Sequence, residues 1–370
     1  MDKRQTSDSP VLQISGSVPT FTATYKKYTL HFKKPAGTSR GALHTKEAYF
    51  LFLRDPDDPT RFGLGEASPL PGLSLDDGPD FESKVADLCR KLNQGQSPVE
   101  IDLAEVPALA FGLETALLDW QGGGTRRLFD TEFSGGTASL PTHGLIWMAD
   151  RAGILQQIHD KVTQGFRCIK LKVGALDFAE EVALLADIRR AYPPEQIELR
   201  LDANGAFTPE HALDRLNALA PFDIFALEQP LPPGQWSALA KVCAASPIAI
   251  ALDEELIGRR TLAEKRALLE TIKPQHLVLK PSLIGGFTAA EEWLSLAQYF
   301  NMGWWVNSML ESKVGLSAIC QWVSALPATV THGLGTGQLF GNNIPSPLRL
   351  EGAALRYDFS THWDLSQIDG

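Results

Sequence analysis

Eight short apolar segments alternate with amphipathic stretches from about residue 142 onward, and this alternation constrains the fold more than any other feature. Each amphipathic stretch has roughly the ten to fifteen residues of one helix, so each segment and its stretch form one βα unit of a parallel sheet. Eight such units close into a barrel. The segments are Gly144–Met148, Cys168–Val173, Ile197–Ala203, Ile224–Glu228, Ile248–Asp253, His276–Lys280, Gly303–Ser308 and Thr331–Gly335.

Five of these segments carry charged residues at their C-terminal ends, where barrel enzymes place their chemistry. From the second segment to the sixth, these residues are separated by steps of 30, 26, 25 and 27 positions, each close to one βα unit. The spacing therefore predicts that these residues lie around one rim of the barrel. They are Lys172, Asp202, Glu228, Asp253 and Lys280, with Lys170 two positions before the first.

Alternation along the strands predicts that these charged groups face the barrel axis. Side chains two positions apart in a strand share a face, so Lys170 and Lys172 point one way while Ile169 and Leu171 point toward the helices. In the fifth segment the small alanines share the face of Asp253, and the bulky isoleucines lie on the other face.

Three of the strand-end residues are carboxylates, Asp202, Glu228 and Asp253. They offer hard oxygen ligands, which suit Mg²⁺, a cation that leaves coordination positions for a substrate. The alternative is that each carboxylate pairs with a surface Lys or Arg. That alternative explains any one of them but not all three at near-constant spacing, so we predict a magnesium site.

Lysines that end apolar strands indicate function, because a buried ammonium is costly unless it is paired or used. Mutual repulsion and a nearby cation are expected to lower the pKa values of Lys170 and Lys172, as a base near neutral pH requires. Lys280 is expected across the ring from Lys172, so that the two lysines bracket one substrate carbon. The alternative is a structural network of lysines and carboxylates.

A chain of 370 residues has room for a barrel of about 250 residues and a smaller domain. The residues that precede the barrel show strands followed by a helix, which is typical of an α+β unit. We predict strands at Thr20–Phe32 and Ala48–Arg54 and a helix at Phe81–Leu92. The glycines and prolines of Gly63–Leu73 predict a shaped loop, and its apolar part, Pro69–Ser74, suits a lid over the barrel mouth.

The charge pattern excludes some classes of partner. The net charge is −10, and no Lys/Arg cluster supplies the basic face that nucleic-acid binding needs. No apolar run approaches the roughly 20 residues of a membrane helix, and Met1–Pro10 is polar, so a cytoplasmic location is expected. The four cysteines lie far apart without any C-x-x-C pair, which predicts reduced buried thiols.

Short motifs at the strand ends occur in a characteristic order. They are Lys170-Leu-Lys172, Asp202-Ala-Asn204, Glu228-Gln-Pro230, Asp253-Glu254 and Lys280-Pro281. Together they resemble the muconate-lactonising branch of the enolase superfamily, over nearly the whole chain. Gly63-x-Gly65-Glu66, the Pro69–Ser74 loop and Leu310-Glu-Ser312 are most similar to a dehydratase within that branch. The resemblance implies an α/β fold, with a (β/α) barrel over residues 108–344 and an N-terminal α+β capping domain over residues 1–107, completed by residues 345–370.

The resemblance also implies an activity, the Mg²⁺-dependent removal of a proton beside a carboxylate, with Mn²⁺ as a possible substitute. The implied reaction is the dehydration of a cyclohexadiene carboxylate to an aromatic acid. Lys172 would take the proton and help expel the hydroxyl, and Lys280 would stabilise the enediolate. The implied metal ligands are Asp202, Glu228 and Asp253. The residues implied to contact or support the substrate are Lys170, Asn204 and Ser308.

Other functions stay open at this point. The same site suits an N-acylamino acid racemase, a dipeptide epimerase or a muconate cycloisomerase. Dipeptide epimerases are expected to carry an Asp-x-Asp pair near the eighth strand, and Gly333–Gly337 has none. A non-catalytic barrel that binds a carboxylate is a further alternative, although every expected site position is filled. The expected partner is a small-molecule carboxylate, and nothing in the sequence indicates an oligomeric state.

Overall fold

An antiparallel sheet forms the N-terminal part of the chain. The computed structural model describes residues 21–38, 41–327 and 330–369, so the polar Met1–Pro10 segment lies outside the described residues. The sheet has the order β1-β2-β3. The predicted strand Ala48–Arg54 lies within β2, and the predicted strand Thr20–Phe32 overlaps β1 from Thr22 onward, while Thr20 lies outside the described residues. Its elements and the two helices that follow are β1 (Thr22–Thr38), β2 (Gly41–Arg54), β3 (Phe62–Ala67), α1 (Phe81–Asn93) and α2 (Pro107–Gln121).

A parallel sheet of seven strands follows, after the two-residue strand β4 (Leu140–Pro141). Each strand is hydrogen-bonded to the next in chain order, so the sheet curls in one direction as barrel sheets do. The strands are β5 (Gly144–Ile146), β6 (Cys168–Lys172), β7 (Glu198–Asp202), β8 (Ile224–Glu228), β9 (Ile250–Leu252), β10 (His276–Leu279) and β11 (Gly303–Val306).

Helices cover the outer face of this sheet and bury the bulky side chains of its strands. Ile250 and Leu252 belong to the main core, whereas Ala251 packs inside the barrel with Val278 and Trp305, as the predicted alternation requires. The helices are α3 (Arg151–Thr163), α4 (Phe178–Ala191), α5 (Ala212–Leu219), α6 (Trp236–Ala245), α7 (Leu262–Ile272), α8 (Pro281–Ile284), α9 (Gly286–Tyr299) and α10 (Lys313–Ala325).

The eighth segment differs from its prediction. Thr331–Gly335 forms no regular strand but makes isolated bridges, from His332 to Thr142 on one side and from Gly333 to Asn307 on the other. The segment thereby joins β11 to the residues that precede β5 and closes the ring. Gly333 permits two side chains to approach this segment closely, because a Cβ at that position would lie 2.2 Å from the side chains of both Asn307 and His143.

The predicted loop at Gly63–Leu73 is wrong in its first half, which forms β3. Gly63 and Gly65 permit close packing of this strand on α2 and do not make a turn. A Cβ at Gly63 would lie 2.1 Å from the carbonyl oxygen of Ala116, and one at Gly65 would lie 1.9 Å from that of Gly112. Glycine within a strand often marks such a close approach of another backbone.

The C-terminal part of the chain returns to the N-terminal sheet. Phe340, Ile344 and Ile368 share a buried cluster with Leu30 and Phe50 of that sheet. The last two strands, β12 (Leu348–Glu351) and β13 (Ala354–Tyr357), pair with each other, and β13 also pairs with β4. The proposed domain limits at residues 107 and 345 stay predictions.

Two further features concern the chain as a whole. The four cysteines are buried free thiols, as predicted. Within the described ranges, no helix is both long enough and apolar enough to cross a membrane.

Candidate active site

One cavity of about 400 Å³ opens at the C-terminal ends of the barrel strands. Six of the eight predicted site residues line it, and the other two, Glu228 and Asp253, are buried beneath its surface, 0% and 2% exposed. The structure therefore brings the predicted residues together at one cavity, and their roles stay a prediction. The six residues are Lys170, Lys172, Asp202, Asn204, Lys280 and Ser308.

The three carboxylates come together at the base of this cavity. One oxygen from each of Asp202, Glu228 and Asp253 lies within 4.8 Å of the other two, and all three residues are buried. Burial and the charges of Asp202 and Asp253 raise the pKa of Glu228 to about 8 against the pull of Lys170, and the Oε1 atom of Glu228 has no hydrogen-bond partner in the described structure. Crowded hard oxygen ligands with an unsatisfied atom fit a divalent cation.

Lys170 lies among these carboxylates. Its Nζ atom is 2.9 Å from Asp202 Oδ2 and 2.5 Å from Glu228 Oε2. Burial alone would lower the pKa of Lys170, but the charges of Asp202, Glu228 and Asp253 raise it above the ordinary value for lysine. The expectation of a lowered pKa at Lys170 is therefore wrong, because its nearest charges are carboxylates and not Lys172.

Lys172 has the opposite environment. No carboxylate of the described residues lies within 4 Å of its ammonium, although it lines the same cavity. Burial lowers the pKa of Lys172, the charges of Lys170 and Lys280 add to this effect, and Asp202 opposes it. The lowered pKa expected for this lysine is confirmed.

Lys280 lines the same cavity but is paired. Its Nζ atom lies 2.6 Å from Asp253 Oδ2. Burial would lower the pKa of Lys280, but the charges of Asp253 and Glu254 raise it. Lys172 and Lys280 thus differ in their charged neighbours.

Asn204 and Ser308 occupy the rim. Asn204 has a left-handed backbone with φ of 42°, its backbone N–H donates to Asp202 Oδ1 at 3.0 Å, and its amide donates to Glu254 Oε1 at 2.8 Å. The hydroxyl of Ser308 lies 2.5 Å from that of Thr336. Both side chains are held by neighbours and both line the cavity.

Glu254 belongs to the site although the sequence analysis did not assign it a role. It lines the cavity, burial together with the charges of Asp253 and Asp202 raises its pKa to about 7, and its Oε2 atom has no partner in the described chain. The sequence does indicate that Glu254 lies near the site, because it directly follows the strand-end carboxylate of Asp253.

Apolar side chains from both parts of the molecule form the cavity walls. Leu70 and Leu73 come from the loop after β3, which confirms the prediction that Pro69–Ser74 reaches the mouth of the barrel. Met309 and Leu310, which follow β11, and Leu145 of β5 form the barrel side. No polar pattern marks these three residues in the sequence, so only the structure assigns them to the wall.

The fold and the site together define a barrel enzyme of the enolase superfamily, and residues 153–357 match the family described as enolase C-terminal domain-like. The o-succinylbenzoate synthase of Desulfotalea psychrophila is 43% identical over 365 residues, which cover 90% of this chain and 98% of the relative. That of Thermosynechococcus vestitus is 30% identical over 271 residues, or 70% of this chain and 76% of the relative. The chain therefore belongs to the o-succinylbenzoate synthase family, whose members are hydro-lyases.

A solved structure agrees with this assignment. The crystal structure of MenC from Desulfotalea psychrophila superposes with a TM-score of 0.82 at 39% sequence identity. The match covers 91% of this chain and 99% of that chain, so it includes both the N-terminal sheet and the barrel.

Proposed function

We propose that this chain dehydrates 2-succinyl-6-hydroxy-2,4-cyclohexadiene-1-carboxylate to 2-succinylbenzoate, a step of menaquinone biosynthesis, and that it requires Mg²⁺. The observation that carries the proposal is the presence at one cavity of a half-buried lysine with a lowered pKa, Lys172, and a buried carboxylate triad. Mn²⁺ is expected to support the same reaction. The cytoplasmic location stays a prediction.

The metal would be held by Asp202, Glu228 and Asp253, and when bound it would stabilise the negative charge that develops on the substrate carboxylate. A proton beside an ionised carboxylate is very weakly acidic, because its removal places a second negative charge on the same group. A base alone would therefore not suffice. The buried triad supplies a site where such charge can be neutralised.

Lys172 would act as both base and acid. Its unprotonated Nζ takes the proton from the carbon beside the carboxylate, which breaks the C–H bond. The resulting ammonium then gives that proton to the departing hydroxyl, so the C–O bond breaks, water leaves and the ring becomes aromatic. A lowered pKa suits a lysine for the first of these steps.

Lys280 would serve as a fixed positive charge near the developing enediolate. Its hydrogen bond to Asp253 and its raised pKa favour the ammonium form. Lys170, which has the same kind of surroundings, would contact the substrate carboxylate, and Asn204 and Ser308 would support its position. Leu70 and Leu73 lie in the Pro69–Ser74 loop, the capping loop, and would exclude water from the site.

Racemisation of an N-acylated amino acid is the second candidate, because two lysines line the cavity. In that reaction Lys280 would have to exchange a proton, which its pairing with Asp253 disfavours. A dipeptide epimerase is disfavoured because the Gly333–Gly337 segment lacks an acidic pair.

The test is direct. Purified protein with Mg²⁺ and the cyclohexadiene substrate is expected to form the aromatic product, followed by ultraviolet absorbance, and Lys172→Ala is expected to form it at a rate lower by about 10³-fold or more. A parallel incubation with an N-succinylated amino acid, followed by loss of optical rotation, tests the second candidate. Racemisation without any aromatic product would contradict the proposal.

A further inference from the structure

A buried lysine of the N-terminal sheet contacts the wall of the active-site cavity. Lys46 lies in β2, and its side chain is 1% exposed. Its Nζ atom donates to the carbonyl oxygens of Met309 and Leu310, both at 2.9 Å. Both of these residues line the cavity, so one ammonium from the sheet holds two consecutive peptide groups of the cavity wall.

The backbone at this point is unusual. Leu310 has a φ of 60°, in the left-handed region that residues with a side chain rarely adopt. Such a conformation persists only where the surroundings hold it. The two hydrogen bonds from Lys46 fix the peptide groups on both sides of the Leu310 Cα, and they therefore help to hold this conformation.

Glu311 holds the same loop from the barrel side. Its carboxylate accepts from the backbone N–H of Met309 at 2.8 Å and from the hydroxyl of Ser282 at 2.5 Å. Ser282 lies in α8, two positions after Lys280. The loop that carries Met309 and Leu310 is thus joined to the segment that follows a proposed catalytic lysine.

Glu66 of β3 holds the end of the loop. Its carboxylate accepts from the backbone N–H groups of Ser312 and Gly315, each at 2.8 Å, at the first turn of α10. Burial lowers the pKa of Lys46, and the charges of Glu311 and Glu66, which are both buried, oppose this effect and favour the ammonium form. An apolar residue at position 46 would avoid the cost of burying a charge, but it would leave the two carbonyl groups without donors.

We propose that Lys46 is a positioning residue of the active site, which orders residues 309–311 so that Met309 and Leu310 form the wall against the side chain of the carboxylate substrate. The identity of that substrate rests on the proposed function, whereas the ordering of the loop does not. Lys46 acts through the loop and touches no reacting atom.

The test compares two lysines of equal burial. Lys46→Met keeps an unbranched side chain and removes the donors. Lys265→Met is the matched control, because Lys265 is also 1% exposed and also donates to a backbone carbonyl, that of Ala289 at 3.1 Å, but it lies in α7 and lines no part of the cavity. Four quantities are measured for each folded variant: amide hydrogen exchange over residues 308–312, the Kd of 2-succinylbenzoate with Mg²⁺, KM and kcat.

Lys46→Met is expected to exchange faster over residues 308–312 and to raise both Kd and KM about tenfold, as the loss of hydrogen bonds from a charged donor predicts, with a smaller change in kcat. Lys265→Met is expected to change none of these, even at an equal loss of Tm. Unchanged exchange and unchanged Kd in folded Lys46→Met would overturn the proposal.

Two further outcomes are separable. If Lys46→Met does not fold, Ser282→Ala decides, because it removes one hydrogen bond from the same loop without removing a charge. Faster exchange and a raised Kd in that variant support the proposal, and no change in either overturns it. A wild-type protein that forms no aromatic product contradicts the proposed function, while the exchange comparison of Lys46→Met and Lys265→Met still tests the role of Lys46.

Discussion

Lys170 and Lys172 lie two positions apart on one strand, yet their surroundings shift their pKa values in opposite directions. The ammonium of Lys170 lies within 3 Å of two carboxylates, whereas the described residues place no carboxylate within 4 Å of that of Lys172. A lysine held among carboxylates stays charged, and a buried lysine without them gives up its proton more easily. The local environment therefore separates a permanent cation from a candidate base.

Substitution of Lys172 and Lys280 tests the division between a lysine that acts as a base and a lysine that stays charged. Lys172→Ala is expected to lower kcat by about 10³-fold or more, since a positioned base contributes about 10² to 10⁴. Lys280→Arg keeps a positive charge but has no usable base, because a guanidinium does not deprotonate at working pH. It is expected to retain more dehydration than Lys172→Ala. Equal and complete loss in both variants, with the fold and metal binding preserved, would remove the basis for their different roles.

The pH dependence of the reaction gives a second test at this scale. Lys172 must be unprotonated to accept the substrate proton, so kcat/KM is expected to rise with pH through the pKa of Lys172. Because burial lowers that pKa, the midpoint is expected below the ordinary lysine value of 10.5. Lys280→Arg is expected to keep this ascending limb. A profile that rises only above pH 10.5 would show that another group is the base.

Single elements show how far the sequence predicts the fold. The strands β6 to β10 occur where the segments and their charged ends indicate, because alternation and spacing act within one βα unit. The eighth segment was predicted as a regular strand but makes only isolated bridges. Its contacts with Asn307 and His143 form when the barrel closes, so the local sequence does not indicate them. β3 was predicted as a loop, since the contact of Gly65 with α2 involves residues that are 47 positions apart.

The same reasoning applies to the site. The grouping of the three carboxylates and the lysines could be predicted because each of these residues lies at the end of a strand. The contact between Lys46 and Met309 joins residues 263 positions apart, so no local sequence pattern predicts it. The raised pKa of Lys170 depends on which carboxylates its ammonium reaches, and the spacing of the residues does not determine that choice.

The close contact between β3 and α2 predicts that adding one methyl group at Gly65 lowers the stability of the fold. Gly65→Ala would place a Cβ 1.9 Å from a backbone oxygen of Gly112, so strand and helix must move apart. We expect the free energy of unfolding to fall by about 1–3 kcal/mol, as overpacking does, measured by urea denaturation. Gly341→Ala is the control, since its nearest atoms would be 3.9 Å away. A similar loss in both variants would show that the effect is not packing.

At the scale of the whole molecule, the cavity is built from distant parts of the chain. The capping loop supplies Leu70 and Leu73, the barrel supplies the charged groups, and the C-terminal segment packs on the sheet that precedes that loop. Three carboxylates from three strands are buried together beneath it. Lys170 and Lys280 neutralise part of the mutual repulsion of these carboxylates, and a divalent cation would neutralise the rest, so metal binding and global stability are expected to be linked.

This linkage predicts that Mg²⁺ stabilises the protein and that Glu228 is required for the effect. A ligand at a hundred times its Kd adds about 2.7 kcal/mol to the free energy of unfolding, so Mg²⁺ is expected to raise Tm in wild type and in the exposed control Glu100→Gln, but not in Glu228→Gln. Excess EDTA is expected to abolish turnover.

Without metal, the ionisation of Glu228 is expected to destabilise the folded protein. The folded pKa of Glu228 is about 8, above its ordinary 4.5, so the folded state binds this proton more tightly than the unfolded chain does. Ionisation of Glu228 therefore costs the folded state stability as pH rises from about 4.5 to about 8. Glutamine cannot ionise, so metal-free Glu228→Gln is expected to lose less Tm than metal-free wild type over that interval. An equal loss in both, or full turnover after the metal has been shown to be absent, would contradict a cation site formed by these three carboxylates.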